Sequence, residues 1–387
     1  MKMMYKKKVV FWAACTGMLL FGICLITLGS VAADLREKLQ LDELSSGTLF
    51  SILPLGIIAG SILFGPVVDK YGYKILLVIS SVFMFAGFEG IAYTASADLL
   101  KIFILLIGIG GGAVNGATNA LVSDISEKEK GANISLLGVF YGIGALGMPL
   151  ILGLLKNRIS FEVIVASVGI LTWLAGIFFI LVKFPPPKQT RGVPFTQSIK
   201  LVKDKVLILI AFFLFFQSGF EGIINNWTTT YLITRLSIEQ SSALYALSSF
   251  VAGMAIMRLL IGSIFRPFSS KKLLIISFGL VLLGLILLKI SLSFNISVVG
   301  LVILGAGLSG GFPIMLGFVG NLYSELSGTA FSLVFFIALI GNTLINFLMG
   351  LVAQNFGVDH LITFALAEAV IMILLSVMIV NKTKNIK

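Results

Sequence analysis

Twelve apolar stretches recur along this 387-residue sequence, at roughly 9–33, 47–68, 74–95, 100–122, 132–155, 163–183, 206–233, 241–264, 272–291, 296–322, 328–353 and 360–381, each bounded by charge, Gly or Pro. A helix needs about 20 apolar residues to cross the hydrocarbon of a bilayer. The stretches therefore predict an all-α membrane protein with 12 transmembrane helices, and what is left over makes loops rather than a separate catalytic domain. A content of 58% apolar and 12% charged residues is foreign to soluble multi-domain chains and points the same way. Met1 to Lys8 and the run behind them have the look of a secretory leader, but that run is of full membrane length and eleven more follow, so it reads as a retained first helix. Cys15 and Cys24 lie in it nine residues apart, about 13.5 Å along a helix, too far to bridge.

A net charge of +11 would suit a nucleic-acid partner, but its distribution gives another cause. With the N-terminus placed inside, 20 of the 28 Lys and Arg fall in inner loops and tails, seven in outer loops, and Arg258 within a span. Inner loops of membrane proteins hold such an excess, so both termini are expected in the cytoplasm, in a multi-pass plasma or inner membrane protein, with lipid and not nucleic acid as its surroundings. The stretch from Lys183 to Lys205 carries six cations together with Pro185, Pro186, Pro187 and Pro194, and six spans lie on either side of it. It reads as a cytoplasmic linker at 184–205 between six-helix bundles at 1–183 and 206–387.

The two halves repeat. A gapless shift of 197 residues superposes Gly22 on Gly219, Gly56 on Gly253, Gly65 on Gly262, Gly87 on Gly284, Gly108 on Gly305, Gly110 on Gly307, Gly131 on Gly328, Gly144 on Gly341 and Gly153 on Gly350, where chance yields roughly two or three matches. A shift of six helices preserves orientation in the membrane, so these are two parallel six-helix repeats related by an axis along the membrane normal, the arrangement of transporters that rock two bundles about a central site. Glycines in register let helices approach closely and mark scaffold.

The residues that break the repeat mark a site. Glu221 faces Cys24, Asn115 faces Phe312, Asn119 faces Leu316, Asn342 faces Ala145 and Glu89 faces Ile286. Gln217, Glu221 and Asn225 form an i, i+4, i+8 stripe on the seventh span, with Asn226 and Trp227 beside it, while Asn115 pairs with Asn119 and Asn342 with Asn346 at i, i+4. Such amides can also bond helix to helix, at about 1 kcal/mol or less each. Three polar groups in line, two amides flanking a carboxylate, exceed what one contact needs. A charged Glu221 at mid-membrane costs about 2.5–3.5 kcal/mol, so it should be protonated, paired or wet, and each state suits a transporter. A carboxylate and several amides accept from and donate to hydroxyls, which fits a neutral polyol better than an anion. Trp227 and Tyr141 could stack on a sugar ring. Asp34 and Glu325 lie at span ends, and Glu89 and Glu368 are further carboxylates inside spans. His360, the only histidine, falls in an outer loop, and no phosphate loop is present. That pattern predicts neither a His relay, a metal site, ATP-driven transport nor an embedded hydrolase. The chain is not expected to be an enzyme, and no cofactor is expected beyond a coupling H⁺ or Na⁺.

Gly65-Pro66-Val67-Val68-Asp69-Lys70-Tyr71-Gly72-Tyr73-Lys74, between spans two and three, resembles the G-x-x-x-D-[RK]-x-G-[RK]-[RK] loop of the major facilitator superfamily, with Tyr73 in place of a basic residue. A copy runs from Gly262 to Lys272, with Arg266 in place of the aspartate. The resemblance implies that Gly65 contacts the eleventh helix, that Asp69 helps hold an outward-open state, and that Gly65, Asp69, Gly72 and Lys74, with Arg258 and Arg266 of the second half, serve conformational change. Within that superfamily, Phe216-Gln217-Ser218-Gly219-Phe220-Glu221-Gly222 and Asn115-Gly116-Ala117-Thr118-Asn119-Ala120 resemble the fucose permease family, whose members carry Gly-x-Glu in the seventh span and Glu-Thr-Ala-Ala-Asn-Pro in the fourth. Asn119 matches the family asparagine, Asn115 stands in place of its glutamate, and Leu25 and Ile26 stand where it has a first-helix aspartate.

The sequence is thus expected to encode a monomeric secondary transporter of a neutral sugar or related polyol, importing by alternating access, with sodium symport, proton symport and facilitated diffusion all open. The substrate-binding candidates are Asn115, Asn119, Tyr141, Gln217, Glu221, Asn225, Asn226, Trp227 and Asn342, with Glu221 for coupling. An exporter of amphipathic drugs or metabolites on the same fold is the alternative: Gly138, Gly142, Gly144, Gly147, Pro149 and Gly153 in span five resemble the glycine-proline motif of antiporters, with Met148 interrupting the Gly-Pro pair. A non-transporting nutrient sensor is a more remote one.

Overall fold

Hydrocarbon offers the backbone no partners, so each apolar stretch must pair its own N–H and C=O groups, which a helix does. In the computed structural model, which describes residues 5–40, 43–155, 158–188 and 201–384, the described residues form helices joined by short turns, with no strand. The first half holds α1 (Lys7–Leu39), α2 (Glu43–Tyr71), α3 (Tyr73–Tyr93), α4 (Ala97–Ile125), α5 (Lys130–Leu155) and α6 (Phe161–Leu181). The second half holds α7 (Lys205–Leu236), α8 (Gln240–Gly262), α9 (Ser270–Ile290), α10 (Phe294–Leu308), α11 (Gly311–Leu322), α12 (Ser327–Phe356) and α13 (Leu361–Lys384). Twelve segments are long and apolar enough to cross a membrane, in agreement with the sequence. The tenth is not one helix as the sequence suggests: it breaks between Leu308 and Gly311 into α10 and α11. Residues 189–200, the centre of the expected linker, lie outside the described residues.

The chain forms two compact units. The first comprises residues 1–127, 137–198 and 323–332; the second comprises 128–136, 199–322 and 333–387. The short segments 128–136 and 323–332, which open α5 and α12, thus each cluster with the other half of the sequence.

Inside the units the matched glycines make matched contacts. A Cβ on Gly110 would sit 2.7 Å from the Ser80 carbonyl oxygen, and one on Gly307, its repeat partner, 2.8 Å from that of Ser277, which is Ser80 shifted by the same 197 residues. Gly87 faces Ile107 and Gly284 faces Leu304, again at equivalent places. Gly56 and Gly108 seat α2 on α4, and Gly253 and Gly305 seat α8 on α10. Other glycines are free of neighbours: nothing lies within 4 Å of a Cβ on Gly142. Gly307→Ala is therefore expected to destabilise by about 1–3 kcal/mol through overpacking, while Gly142→Ala holds or gains stability as a better helix former. Thermal unfolding of the purified protein compares them.

Candidate functional site

The sequence-nominated residues of α7 gather in the second unit with those of α12. Asn342 Nδ2 donates to the Ser218 carbonyl at 2.8 Å, Asn346 Nδ2 to the Asn342 carbonyl at 2.8 Å, and Asn226 Nδ2 to Asn346 Oδ1 at 2.8 Å. Gly222 makes this ladder possible, since a Cβ there would run into the amides of Asn342 and Asn346. Asn225 Nδ2 donates to the Glu221 carbonyl at 2.9 Å. Glu221 and Asn225 are half-buried and Asn226 is exposed, so the polar edge of α7 lies at the border of the packed interior. Trp227 packs its ring at the Gly350 surface of α12, 3.7 Å from the Cβ position.

Gln217, one turn before Glu221, is different. It is 1% exposed, and its Nε2 donates to the Leu308 carbonyl at 2.7 Å, the carbonyl on which α10 ends. Its Oε1 lies against Gly311, the first residue of α11, with no hydrogen-bond partner. A helix break frees backbone groups that must be paired where water is absent. Gln217 does part of this for the tenth span. A stripe at i, i+4, i+8 rotates by about 40° per step, which carries Gln217 into the packing and leaves Glu221 and Asn225 at its edge. Gln217→Leu is expected to destabilise by about 1–3 kcal/mol by orphaning the Leu308 carbonyl; thermal unfolding measures it.

Arg258 of α8 is near enough to Glu221 to act on it electrostatically. Both belong to the second unit. The Arg258 carbonyl accepts from Ser135 Oγ at 2.8 Å, which ties α8 to the opening of α5.

In the first unit, Asn119 is buried and its Nδ2 donates back to the Asn115 carbonyl at 2.8 Å and to Asn115 Oδ1 at 3.2 Å. The Asn115 oxygens are thereby occupied. Tyr141 lies tilted on Phe21 with ring centroids 5.7 Å apart. Two carboxylates inside spans lack hydrogen-bond partners: Glu89 Oε1, against Gly169 of α6, and both oxygens of Glu368, which is 4% exposed in α13.

The loop residues form the most completely bonded cluster, also in the first unit. Asp69 has no exposed surface; its Oδ1 accepts from the Gly328 N–H at 3.2 Å, and its Oδ2 from the N–H and hydroxyl of Thr329 at 2.9 and 2.7 Å. A carboxylate thus sits at the first turn of α12, where free N–H groups and the helix dipole favour negative charge. A Cβ on Gly65 would stand 2.6 Å from the Gly328 carbonyl oxygen, the close contact with the eleventh span that the resemblance implies. Gly72 turns the chain from α2 into α3 at φ +84°, a backbone only glycine adopts without strain. Tyr73, which breaks the loop pattern, donates its hydroxyl to Asp124 Oδ2 at 2.5 Å, and Lys188 Nζ donates to Asp124 Oδ1 at 2.7 Å, to Ser327 Oγ at 2.6 Å and to the Ser324 carbonyl. Lys74 is exposed. In the second unit the copy reverses polarity: Arg266 pairs with Glu129 and donates to Asn133 Oδ1 at 2.8 Å, at the opening of α5.

Sequence reasoning did not nominate Asp124, Lys188 or Thr329. The signal available for Lys188 was its place directly after three prolines; Asp124 and Thr329 carried none.

The chain matches the profile of the Major Facilitator Superfamily over residues 14–288. It is 24% identical over 344 residues to the sodium-dependent glucose transporter 1 of Xenopus laevis, a match covering 80% of this chain and 69% of that protein. It is 25% identical over 180 residues to the multi-drug resistance efflux pump PmrA of Streptococcus pneumoniae, covering 46% of this chain and 45% of the pump. Its fold is similar to that of the fucose:proton symporter FucP of E. coli, at a TM-score of 0.77, 18% identity, and coverage of 95% of this chain and 97% of that one.

Proposed function

The chain belongs to the major facilitator superfamily, whose members are membrane transporters and not enzymes, and from that premise we propose that it imports a neutral sugar or related polyol by alternating access of its two halves, coupled to H⁺ or Na⁺. It acts as a monomer in the plasma or inner membrane with both termini cytoplasmic. The observation that carries the substrate class is the Glu221 neighbourhood. Arg258 acts on Glu221 with the opposite charge, which weakens the pull of this site on a lone anion or cation, while the amides of Asn225, Asn226, Asn342 and Asn346 supply donors and acceptors of the kind hydroxyls need. Two similar proteins, a sodium-dependent glucose transporter and a fucose:proton symporter, support this reading by the sugars they carry.

Asn115 of α4 is the substrate-binding candidate of the first unit. Its oxygens accept from Asn119, which leaves its own amide N–H groups to donate to a substrate hydroxyl. Asn115→Ala is expected to raise the apparent binding constant about five- to tenfold, the equivalent of one neutral hydrogen bond, with expression unchanged. An unaltered constant would assign Asn115 to packing.

Export of amphipathic compounds is the second reading, favoured by the match to PmrA. A thermal-shift screen of the detergent-purified protein against sugars, amino acids, nucleosides and drugs, with and without sodium, separates the two. Stabilisation by a monosaccharide or polyol is expected; stabilisation by hydrophobic cations alone would replace import of a sugar with export.

A further inference from the structure

A groove of about 480 Å³ runs between α9 and α13 in the second unit, and one end of it is basic. Lys271 and Asn381 stand at its mouth, and Phe278, Leu282, Ile373 and Val377 make its walls. From Lys271 to Leu282 the helix rises about 16 Å, close to the half-thickness of the hydrocarbon core at about 15 Å. The cavity therefore has the length of one leaflet's acyl chain, with an ammonium and an amide at headgroup depth. By the count of positive charges, the Lys271 end is cytoplasmic.

Gly279 forms part of the groove and explains its depth. Nothing lies within 4 Å of a Cβ placed there, so this glycine serves neither close helix packing nor an unusual backbone angle. Its counterpart across the repeat is Val82, so the duplicated scaffold does not demand it. In so apolar a helix, its effect is to leave open space where a side chain would otherwise fill the groove.

We propose that this groove is a binding site for an anionic glycerophospholipid of the cytoplasmic leaflet, with the phosphate at Lys271 and Asn381 and one acyl chain along Gly279. Basic pockets between transmembrane helices on the cytoplasmic side take up acidic headgroups, and the ammonium of Lys271 disfavours an amphipathic cation. Lys272 serves as an internal contrast, because its ammonium is engaged over the Phe268 ring at 3.9 Å and it does not line the groove. The inference stands apart from the nature of the transported substrate.

The test is native mass spectrometry of the full chain in detergent, equilibrated with equal amounts of phosphatidylglycerol and phosphatidylcholine bearing the same acyl chains. The wild type is expected to retain phosphatidylglycerol preferentially. Lys271→Ala, an exposed change, should lower that retention about fivefold, the effect of one lysine near an anionic surface. Gly279→Leu should displace both lipids, and Lys272→Ala should change little. Equal retention of the two lipids by the wild type would overturn the site, as would wild-type retention in Lys271→Ala. A loss in Lys272→Ala matching that in Lys271→Ala would reduce the effect to diffuse surface charge and overturn it too.

Discussion

Glu221→Gln is expected to lower concentrative uptake about a hundredfold while the protein still inserts and folds. The side chain keeps its size and one acceptor oxygen, so the local packing with α12 has no reason to change. What is lost is a negative charge that interacts with Arg258. An unbalanced arginine inside a span costs up to about 2.5–3.5 kcal/mol, the value at the helix centre, and each 1.4 kcal/mol is a factor of ten. A glutamine also cannot take up or release a proton, so exchange of substrate down its gradient should survive better than accumulation against it. The measurement is paired: counterflow and concentrative uptake in proteoliposomes, with Glu221→Gln/Arg258→Gln as a partner variant that restores the charge balance and recovers counterflow alone. Wild-type accumulation in Glu221→Gln would remove this carboxylate from the mechanism.

The second large effect is expected at Asp69→Ala. Its carboxylate holds three donors of the first turn of α12 and is wholly buried. Bonds to a charged acceptor contribute about 1.5–3 kcal/mol each and do not add fully, so about 3 kcal/mol of local stability rests on this one group. Hydrogen exchange at Gly328 and Thr329 should accelerate about a hundredfold, with transport falling alongside. Lys188→Ala should produce a smaller increase over the same residues, because it removes the bonds to Ser324 and Ser327 but leaves those to Asp69. Unchanged exchange in Asp69→Ala would mean that α12 holds its first turn without help.

Span number and the duplication were legible because they follow from two one-dimensional signals, apolar length and the spacing of glycines. Gly110 and Gly307 show why the second signal is reliable: each touches the same residue of its own half, so the register is a record of packing. The break in the tenth span was not legible, since Ser309 to Gly311 continue an apolar, glycine-rich run whose interruption shows only in the backbone. For the same reason Gln217 read as one of three stripe residues, although it is bonded to the end of α10. The loop motif pointed to Asp69, but the role of Tyr73 depends on Asp124 and that of Lys188 on Ser324 and Ser327, partners far apart in sequence. Arg258 read, with Arg266, as a residue serving conformational change; its influence on Glu221 required the geometry of two helices at once.

On the proposed reading, with Glu221 charged and Arg258 acting on it from the neighbouring helix, this pair would add no net charge of its own to the empty carrier in the field across the membrane. A charge crossing the full potential is worth about 2.3 kcal/mol per 100 mV. With a neutral substrate, a coupled cation would then be the charge that this site carries through the field. Substrate-evoked current should then count coupled ions directly, and the return of the unloaded carrier should be indifferent to voltage.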